Sequence, residues 1–451
     1  MKKFIQNIKN IWSIEELRTR ILQTLLLLAV FRIGTFIVIP GVDKEVLDLL
    51  NKSNPASGLL GLIDVFAGGA FERASIFALG IMPYISASIV VQLLTIAVPY
   101  FQRMQKEGED GQQRMNQITR WLTIAITAVQ AVSFVLNFKA TKGDAIVGGG
   151  TMFMLVAVCV LVAGTMFTMW IGERITDRGL GNGISLIIMV GIISRLPHSL
   201  LAEVYDKFVG NNGGGPIVFI LEIVFWMLVI LAVILLVQGT RRIPVQYAKR
   251  IVGNKQYGGV RQYLPLKVNA AGVMPIIFAQ ALMLIPGMFG GFFQNNRTAG
   301  GFFQGFSDFT SWTYNITFFL MIVLFTYFYT AITINPTKIA DDLKRNGGFI
   351  PGVKPGRATA NFIDAVMSRI TLPGAIFLGI VSIFPAIAMT VGGVNNQFAQ
   401  FYGGTSLLIL VGVVLDTLQQ IESHLLMRHY DGLMKTGRIK GRTSTGGAIA
   451  G

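Results

Sequence analysis

The chain has very few of the residues that build metal centres and disulfide frameworks. It contains one cysteine, Cys159, and three histidines among 451 residues. A single cysteine excludes an intramolecular disulfide, and so few cysteines and histidines leave no cluster with the spacing of a metal site. Charged residues make up only 14% of the chain, against about a quarter in an average soluble domain. We therefore expect no metal or other cofactor, and a chain that is not solvated by water alone.

The sequence also lacks signatures of nucleotide hydrolysis and of proton relay. No Gly-x-x-x-x-Gly-Lys-Ser/Thr stretch occurs, so a phosphate-binding loop of that type is missing. The long apolar segments contain few ionisable residues, chiefly Arg32, Glu222 and Asp416. A carrier for small solutes normally places charged or strongly polar groups at the membrane midplane. These absences argue against an enzyme and against a proton-coupled carrier.

What the chain has instead is long apolar segments. Hydrophobic residues make up 52% of it, and the mean hydropathy is +0.59. Ten segments stand out, most of them longer than the roughly 17 residues that cross a bilayer core. They cover residues 21–39, 74–98, 118–138, 152–171, 183–196, 216–237, 268–289, 312–334, 370–391 and 405–421. The pattern predicts an all-α membrane protein of ten spans, preceded by an amphipathic, interfacial helix over residues 1–20.

Basic residues fall almost entirely on alternate connections. With residues near a span end counted in the adjoining connection, the N-terminus, the even-numbered connections and the tail at 426–451 hold 29 of the 38 lysines and arginines. Basic loops are retained in the cytoplasm, and an even number of spans returns the chain to its starting side. We therefore expect both termini in the cytoplasm.

Irregular spans occupy matching places in two halves of the sequence. The fifth and tenth spans are short, and the second and seventh contain Pro83 and Pro275 with Pro286. Short or proline-interrupted segments at matching positions indicate a transport pathway, although such spans can also be merely tilted or buried by neighbours. The halves would be residues 21–196 and 216–425, with an outer hinge loop at 197–215.

A short apolar stretch precedes the second span. Residues 58–70 are apolar but too short to cross a bilayer, and they include Asp64. Two interpretations stay open, an element that enters a pore from the outer side and a loop packed on the outer face. On the second span, one face at helical spacing carries Ile81, Ile85, Ser88, Gln92 and Thr95, so it is aliphatic toward the outer half and polar toward the cytoplasm. With few charged groups in the spans, this favours a hydrophobic constriction, which holds back water and ions without binding a solute.

Four stretches carry a resemblance to a known family. They are ALGIMPYISASI at 78–89, DRGLGNGIS at 177–185, LPLKVN at 264–269 and GGTSLLI at 403–409. They resemble the SecY family, the central channel subunit of the bacterial Sec protein translocase, and the resemblance runs essentially end to end. It implies ten helices in two pseudo-symmetric five-helix halves around a central pore, which a plug helix seals.

The resemblance also assigns roles to individual residues. The pore ring would be Ile81, Ile85, Ile184, Ile188, Ile277 and Ile409. The plug would cover residues 58–73, with its core at Leu59, Leu60, Leu62, Ile63, Asp64, Val65 and Phe66. The lateral gate lies between spans two and three on one side and seven and eight on the other. Its polar residues would be Ser86, Gln92, Gln130 and Asn269.

Two long basic loops, at 239–267 and 335–369, would be docking surfaces. Topology alone needs only a few charges per loop, and about thirty residues exceed that need. The resemblance implies that they bind the ribosome and the motor ATPase SecA. The residues involved would be Arg241, Arg242, Lys249, Arg250, Lys255, Arg261, Lys344, Arg345, Lys354 and Arg357. Lys354 stands where the family often has arginine, so the motor contact there is expected to differ in detail.

The expected function is passive conduction of unfolded polypeptides across the bacterial plasma (inner) membrane. Signal sequences and membrane segments would leave sideways into the membrane lipids, and SecE and SecG would be partner subunits. From the residues alone, two other classes stay open. A secondary transporter would need a compact site with charged or aromatic ligands, and a non-conducting receptor for ribosomes would need neither plug nor ring.

Overall fold

The structure is a computed structural model that describes residue 12 and residues 14–53, 64–147, 150–208, 215–247, 250–252, 255–257, 261–290, 305 and 310–436. It is built almost entirely from helices. In the N-terminal part these are α1 (Glu15–Gly34), α2 (Lys44–Ser53), α3 (Met82–Ala97), α4 (Pro99–Lys106), α5 (Glu109–Lys142), α6 (Thr151–Arg178) and α7 (Gly183–Phe208). In the C-terminal part they are α8 (Gly215–Gln238), α9 (Met274–Gly290), α10 (Trp312–Thr333), α11 (Pro336–Arg345), α12 (Arg357–Thr390), α13 (Asn396–Ala399) and α14 (Gly404–Thr436).

A helix overlaps each of the ten predicted spans, but not all of these helices meet a strict test for crossing a membrane. Among the described residues, seven helices are long and apolar enough, and an eighth span results if α3 and α4, which meet at 98°, are counted together. α1 is apolar on much of its surface but carries Arg18, Arg20 and Arg32. The protein is therefore an all-α, multi-pass membrane protein, and ten crossings remain a prediction.

The two proline-interrupted spans begin later than the sequence suggests, and both begin at a Met-Pro pair. α3 starts at Met82 with Pro83 in its first turn, and α9 starts at Met274 followed by Pro275. Proline suits this position because the first turn of a helix has no use for its missing N–H. Residues 74–81 and 268–273, assigned to the spans from their hydropathy, form turns and bends instead.

The predicted hinge loop at 197–215 is wrong over its first part. α7 continues through Pro197 to Phe208 without a break, and residues 209–214 lie outside the described residues. Proline removes one helical hydrogen bond, the one that its N–H would donate to the Ile193 carbonyl oxygen. The Ser199 hydroxyl adds a bond of its own within the helix, to the Arg195 carbonyl oxygen at 3.0 Å. Beyond the proline, Ser199, Glu203 and Lys207 recur every fourth residue and are buried. This face meets Glu222 of α8 and the backbone N–H of Asn395 before α13, and these contacts favour continuation of the helix.

The two long basic loops form one unit. The described strands are β1 (Thr240–Tyr247), β2 (Arg250–Val252), β3 (Lys255–Tyr257), β4 (Arg261–Lys267) and β5 (Gly348–Phe349). β1 pairs antiparallel with β4 on one side and with β5 on the other, while β2 and β3 form a separate hairpin. The three-stranded sheet buries Ile243 and Val245 against Leu343 of α11 and Ile363 of α12. A strand from one loop is thus built into the sheet of the other.

The main hydrophobic core lies where the two sequence halves meet. It draws buried residues from α3 and α7 of the first half and from α9, α10, α12 and α14 of the second. α3 contacts α9, and α7 contacts α14. Helices from both halves therefore surround one central region.

Candidate functional site: an apolar constriction

A small cavity lies at the centre of this core. Its volume is about 20 Å³, enough for about one water molecule. Four helices and the turns before α3 line it. The lining residues are Phe66, Ala67, Leu79, Gly80, Ile81, Met82, Ile85, Ile188, Ile277, Gln280 and Ile409. We call this place the constriction.

Five of the six predicted ring residues line the constriction. Ile81 and Ile85 come from the start of α3, Ile188 from α7, Ile277 from α9 and Ile409 from α14. The sixth, Ile184, is not among the lining residues. It lies one turn earlier on α7, half-buried, and its Cγ1 would be 3.1 Å from a Cβ at Gly172 of α6. The structure thus brings together residues from four separated segments, and their role as a ring remains a prediction.

The constriction offers no site for a charged solute. Ile188 is 2% exposed and Ile409 is fully buried, and no side chain among the lining residues is charged. A narrow passage with aliphatic walls and room for about one water molecule tends to exclude a continuous water column, so ions meet a high barrier. Aliphatic side chains hold one another only by weak contacts. They can therefore part for an extended chain of any sequence.

One polar lining residue was not predicted from the sequence. Gln280 follows Ile277 by three residues on α9, so both side chains lie on one face. It is 3% exposed, and its Oε1 has no hydrogen-bond partner among the described residues. It also lines a second, neighbouring cavity with Gln400 and Asn315. Its helical spacing from Ile277 is the sequence feature that could have predicted Gln280 as a lining residue.

The described part of the predicted plug lies against the constriction. Residues 58–63, including Leu59, Leu60, Leu62 and Ile63, lie outside the described residues. Asp64, Val65 and Phe66 have helical backbone, and turns follow as far as residue 81. Phe66 and Ala67 line the cavity itself. Of the two interpretations left open, a surface loop does not fit the described residues, because Asp64 to Ala70 are all buried.

The 64–73 segment is fastened by an ion-pair cluster. Asp64 is 3% exposed, and its Oδ1 accepts the backbone N–H of Glu72 at 2.8 Å. Arg195 of α7 pairs with Asp64 Oδ2 and with Glu72 Oε2, the latter at 2.8 Å. One guanidinium thus bridges the two acidic side chains of the segment. Arg195 was not singled out from the sequence.

The backbone of the same segment also meets two helices closely. Arg32 of α1 donates from Nη1 to the Gly68 carbonyl oxygen at 2.8 Å. A Cβ built on Gly191 of α7 would be 2.6 Å from the Phe66 carbonyl oxygen, so only glycine fits there. Gly68 and Gly69 have φ of +66° and +88°, a left-handed backbone that glycine adopts without strain.

The four predicted gate residues do not bond to one another in the described part of the chain. The Ser86 hydroxyl donates to the Met82 carbonyl oxygen at 3.2 Å, within its own helix. Gln92 contacts Ser88, also on α3, at 3.4 Å. Asn269 is 6% exposed and its Oδ1 has no partner among the described residues, and Gln130 is half-buried on α5. Their helices are nevertheless neighbours, since α3 contacts both α5 and α9.

The predicted docking residues lie on or beside the strands. Arg241 and Arg242 are exposed on β1, and Arg250, Lys255 and Arg261 belong to β2, β3 and β4. Lys249 lies outside the described residues. The remaining four are also exposed: Lys344 and Arg345 on α11, Lys354 on the connection that follows β5, and Arg357 at the start of α12. The Lys354 carbonyl oxygen accepts the Thr359 hydroxyl at 2.9 Å.

Comparison of sequences places the chain in a family. The SecY family model matches residues 75–418. The protein translocase subunit SecY of Streptomyces galbus is 41% identical over 440 residues, which cover 93% of this chain and 97% of that protein. The protein of the same name from Mycobacterium tuberculosis strain H37Rv is 41% identical over 451 residues, which cover 96% of this chain and all of that protein.

Comparison of structures finds the same fold in solved channels. A protein-conducting channel matches with a TM-score of 0.61 at 18% identity, over 94% of this chain and 95% of that one. A SecY structure whose plug domain is described as stabilising the closed state and maintaining a membrane seal matches with a TM-score of 0.59 at 17% identity and the same coverage. Sec61 in the canine ribosome–channel complex matches with a TM-score of 0.57 at 16% identity and again the same coverage. By its sequence and in agreement with its fold, the chain belongs to the SecY family.

Proposed function

We propose that this protein is a protein-conducting channel that passes unfolded polypeptides across a membrane. The apolar constriction, built from helices of both sequence halves, carries the proposal. A passage with no charged lining and no solute site suits a substrate whose side chains vary along its length. SecY is a family of channels and not of enzymes, so energy for transport comes from elsewhere.

The ring and the plug would seal the resting channel. Ile81, Ile85, Ile188, Ile277 and Ile409 form the narrowest place, and the 64–73 segment covers it from the outer side. A translocating polypeptide pushes the segment aside and takes its place between the isoleucines. The plug described for the matched SecY structure supports this role.

Membrane segments would leave the channel sideways, between α3 and α9. This seam joins the two sequence halves, and α5 and α10 flank it. Ser86, Gln92, Gln130 and Asn269 would form hydrogen bonds across it during opening and closing. Such bonds between membrane helices are worth about 0.6 kcal/mol each, so they bias the seam without locking it.

The assembly around the chain would be that of the bacterial Sec translocase in the inner membrane. With ten spans, both termini and the two basic loops would face the cytoplasm. SecE would brace both halves, SecG would join them, and SecA would drive secretory substrates. The canine ribosome–channel complex supports a ribosome as partner, and the basic loops would be its docking surface.

The proposal is tested by reconstituting the chain with its small partner subunits in liposomes. SecA, ATP and a secretory precursor are added outside, and protection of the precursor from protease is measured over time. We expect protection that requires SecA and ATP and stops at a tightly folded domain fused to the precursor.

A matched pair of variants links transport to the constriction. Ile188→Trp adds bulk to the lining, whereas Ile184→Trp adds the same bulk one turn earlier, outside the lining. The first is expected to slow precursor protection more than the second. Absence of protection in folded, correctly oriented wild-type vesicles would contradict the proposal and favour transport of a small solute.

A further inference from the structure

The 64–73 segment is a series of turns closed by short-range hydrogen bonds. After residue 66 its backbone consists of turns, with Gly68 and Gly69 in the left-handed region. Its backbone hydrogen bonds, such as that from the Gly69 N–H to the Asp64 carbonyl oxygen at 2.9 Å, are mostly local and do not fix the segment to the rest of the protein. Its position therefore depends on contacts with other elements: apolar packing of its buried side chains, a hydrogen bond from Asn51 of α2 to the Glu72 carbonyl oxygen at 3.0 Å, and two arginines, Arg32 and Arg195.

The two arginines hold the segment in different ways. Arg32 donates one hydrogen bond to a backbone carbonyl, that of Gly68. Arg195 pairs with two carboxylates eight residues apart, Asp64 and Glu72. The Arg195 guanidinium therefore links the two ends of the segment. A third cation, Arg73, lies over the Phe36 ring with 4.4 Å between its Cζ and the ring centroid. Among the described ion pairs, Arg195 is the cation that contacts both Asp64 and Glu72, while Lys142 of α5 acts on Glu72 from a greater distance.

Arg195 is built on the same helix as a constriction residue. It follows Ile188 by seven residues, which is two helical turns or about 10 Å along α7. Between them, Gly191 allows the Phe66 backbone to approach α7 directly. α7 therefore supplies one wall of the constriction and the anchor for the segment that covers it.

We infer that Arg195 is the positioning residue that holds the 64–73 segment over the constriction while no polypeptide is present. Without Arg195, Asp64 would be a buried carboxylate with no ion-pair partner, which is unfavourable. Movement of the segment away from the constriction would expose Asp64 to water, and this would favour the displaced position. The same physics makes the anchor reversible, because both carboxylates gain water when the segment moves out. The inference rests on the proposed function, since the segment matters only where a channel must stay closed.

The test is ion leakage of the reconstituted complex at rest. Arg195→Gln is expected to raise resting potassium and chloride efflux from liposomes about tenfold, the population shift that about 1.4 kcal/mol produces. Arg195→Lys keeps the charge but loses the planar fork, and an intermediate leak is expected. The matched control is Arg120→Gln, which removes an arginine that lies 2.6 Å from Glu173 between α5 and α6, helices that supply no lining residue.

A double-variant comparison separates positioning from general structure. Glu72→Gln alone is expected to leak less than Arg195→Gln, because Asp64 keeps its partner. Arg195→Gln combined with Glu72→Gln is expected to leak no more than Arg195→Gln alone, since Glu72 acts through Arg195. Additive leaks would overturn the inference, and so would a folded Arg195→Gln complex as tight as wild type.

Polypeptide transport is measured in the same vesicles. Wild-type transport together with the leak pattern above supports both proposals. If wild type moved no polypeptide but the leak pattern held, the proposed function would fail while the positioning role of Arg195 stood.

Discussion

Lys207 Nζ lies 2.9 Å from Glu222 Oε1, so the C-terminal end of α7 and the start of α8 share a buried ion pair. Glu203 joins it from one turn earlier on α7, at 3.7 Å from the same nitrogen. Lys207 also donates to the Gly393 carbonyl oxygen, and Glu203 Oε2 accepts the Asn395 N–H at 2.9 Å. The end of α7 is thereby fixed to the loop between α12 and α13 in the second half.

Tyr402 completes this cluster. Its hydroxyl donates to the Glu222 carbonyl oxygen. Burial raises the pKa of Tyr402 above its ordinary value, and the nearby Glu222 and Glu203 carboxylates raise it further. The phenol therefore stays protonated and keeps its donor role at any pH at which the protein functions.

Removing one member of the cluster should destabilise the protein. Glu222→Ala leaves Lys207 buried with a single, more distant carboxylate, and we expect a loss of about 2–3 kcal/mol. Glu173→Ala is the control, because its partner Arg120 is half exposed and such pairs are worth about 0.2–1 kcal/mol. The midpoints of thermal unfolding in detergent measure both. Equal shifts for the two variants would show that the buried cluster contributes no more to stability than the half-exposed pair.

A polar residue in the constriction should let ions through. Ile188→Asn places an amide in a cavity of about 20 Å³ and gives water a hydrogen-bonding partner there. We expect resting ion efflux to rise several-fold. Ile184→Asn, the same substitution outside the lining, should have a clearly smaller effect. Efflux from liposomes checks this, and the prediction fails if Ile184→Asn leaks as much as Ile188→Asn.

A single methyl group on α7 should displace the covering segment. In Gly191→Ala the new Cβ would lie 2.6 Å from the Phe66 carbonyl oxygen and 3.3 Å from the Gly68 nitrogen. Alanine favours a helix by about 0.8–1 kcal/mol over glycine, so α7 itself gains while the segment must shift. We expect increased leak without a lower unfolding temperature. Gly143→Ala, with nothing within 4 Å of its Cβ, should behave as wild type.

The affinity for a ribosome should fall as the salt concentration rises, and exposed arginines on β1 should account for part of this dependence. Arg241→Ala with Arg242→Ala removes two exposed cations from β1. If both contact phosphates, the slope of log K against log salt should become shallower by roughly one for each. Lys44→Ala, at an exposed position on α2, is the control and should leave the slope unchanged. Binding titrations at several salt concentrations give the slopes, and unchanged slopes for the double variant would exclude these arginines from the contact.

Much of this architecture could be read from the sequence because lipid imposes simple rules. A run of about twenty apolar residues predicts a helix. The prolines at positions 83 and 275 marked the two irregular spans, but the late start of both helices was not predicted. The spacing of Ile81 and Ile85 placed both on one face, where the structure has them. Membrane sidedness, the gate and the docking surfaces remain predictions.

Features that depend only on tertiary packing could not be predicted from the sequence. Ile184 and Ile188 are equivalent by helical period, yet only Ile188 reaches the constriction because Gly172 leaves room for Ile184 against α6. Pro197 suggested the end of a helix, but the buried face formed by Ser199, Glu203 and Lys207 continues it. Arg195 was invisible as an anchor because its partners lie 123 and 131 positions earlier in the chain.

The three-stranded sheet has a mechanical consequence. Its strands continue from α8, lead into α9, and connect α11 to α12, so all of them belong to the second half of the chain. A load applied to either basic loop is shared by both through the β1–β5 pairing. The two basic loops are therefore joined to each other within one half of the chain, and among the described strands of this sheet none comes from the other half.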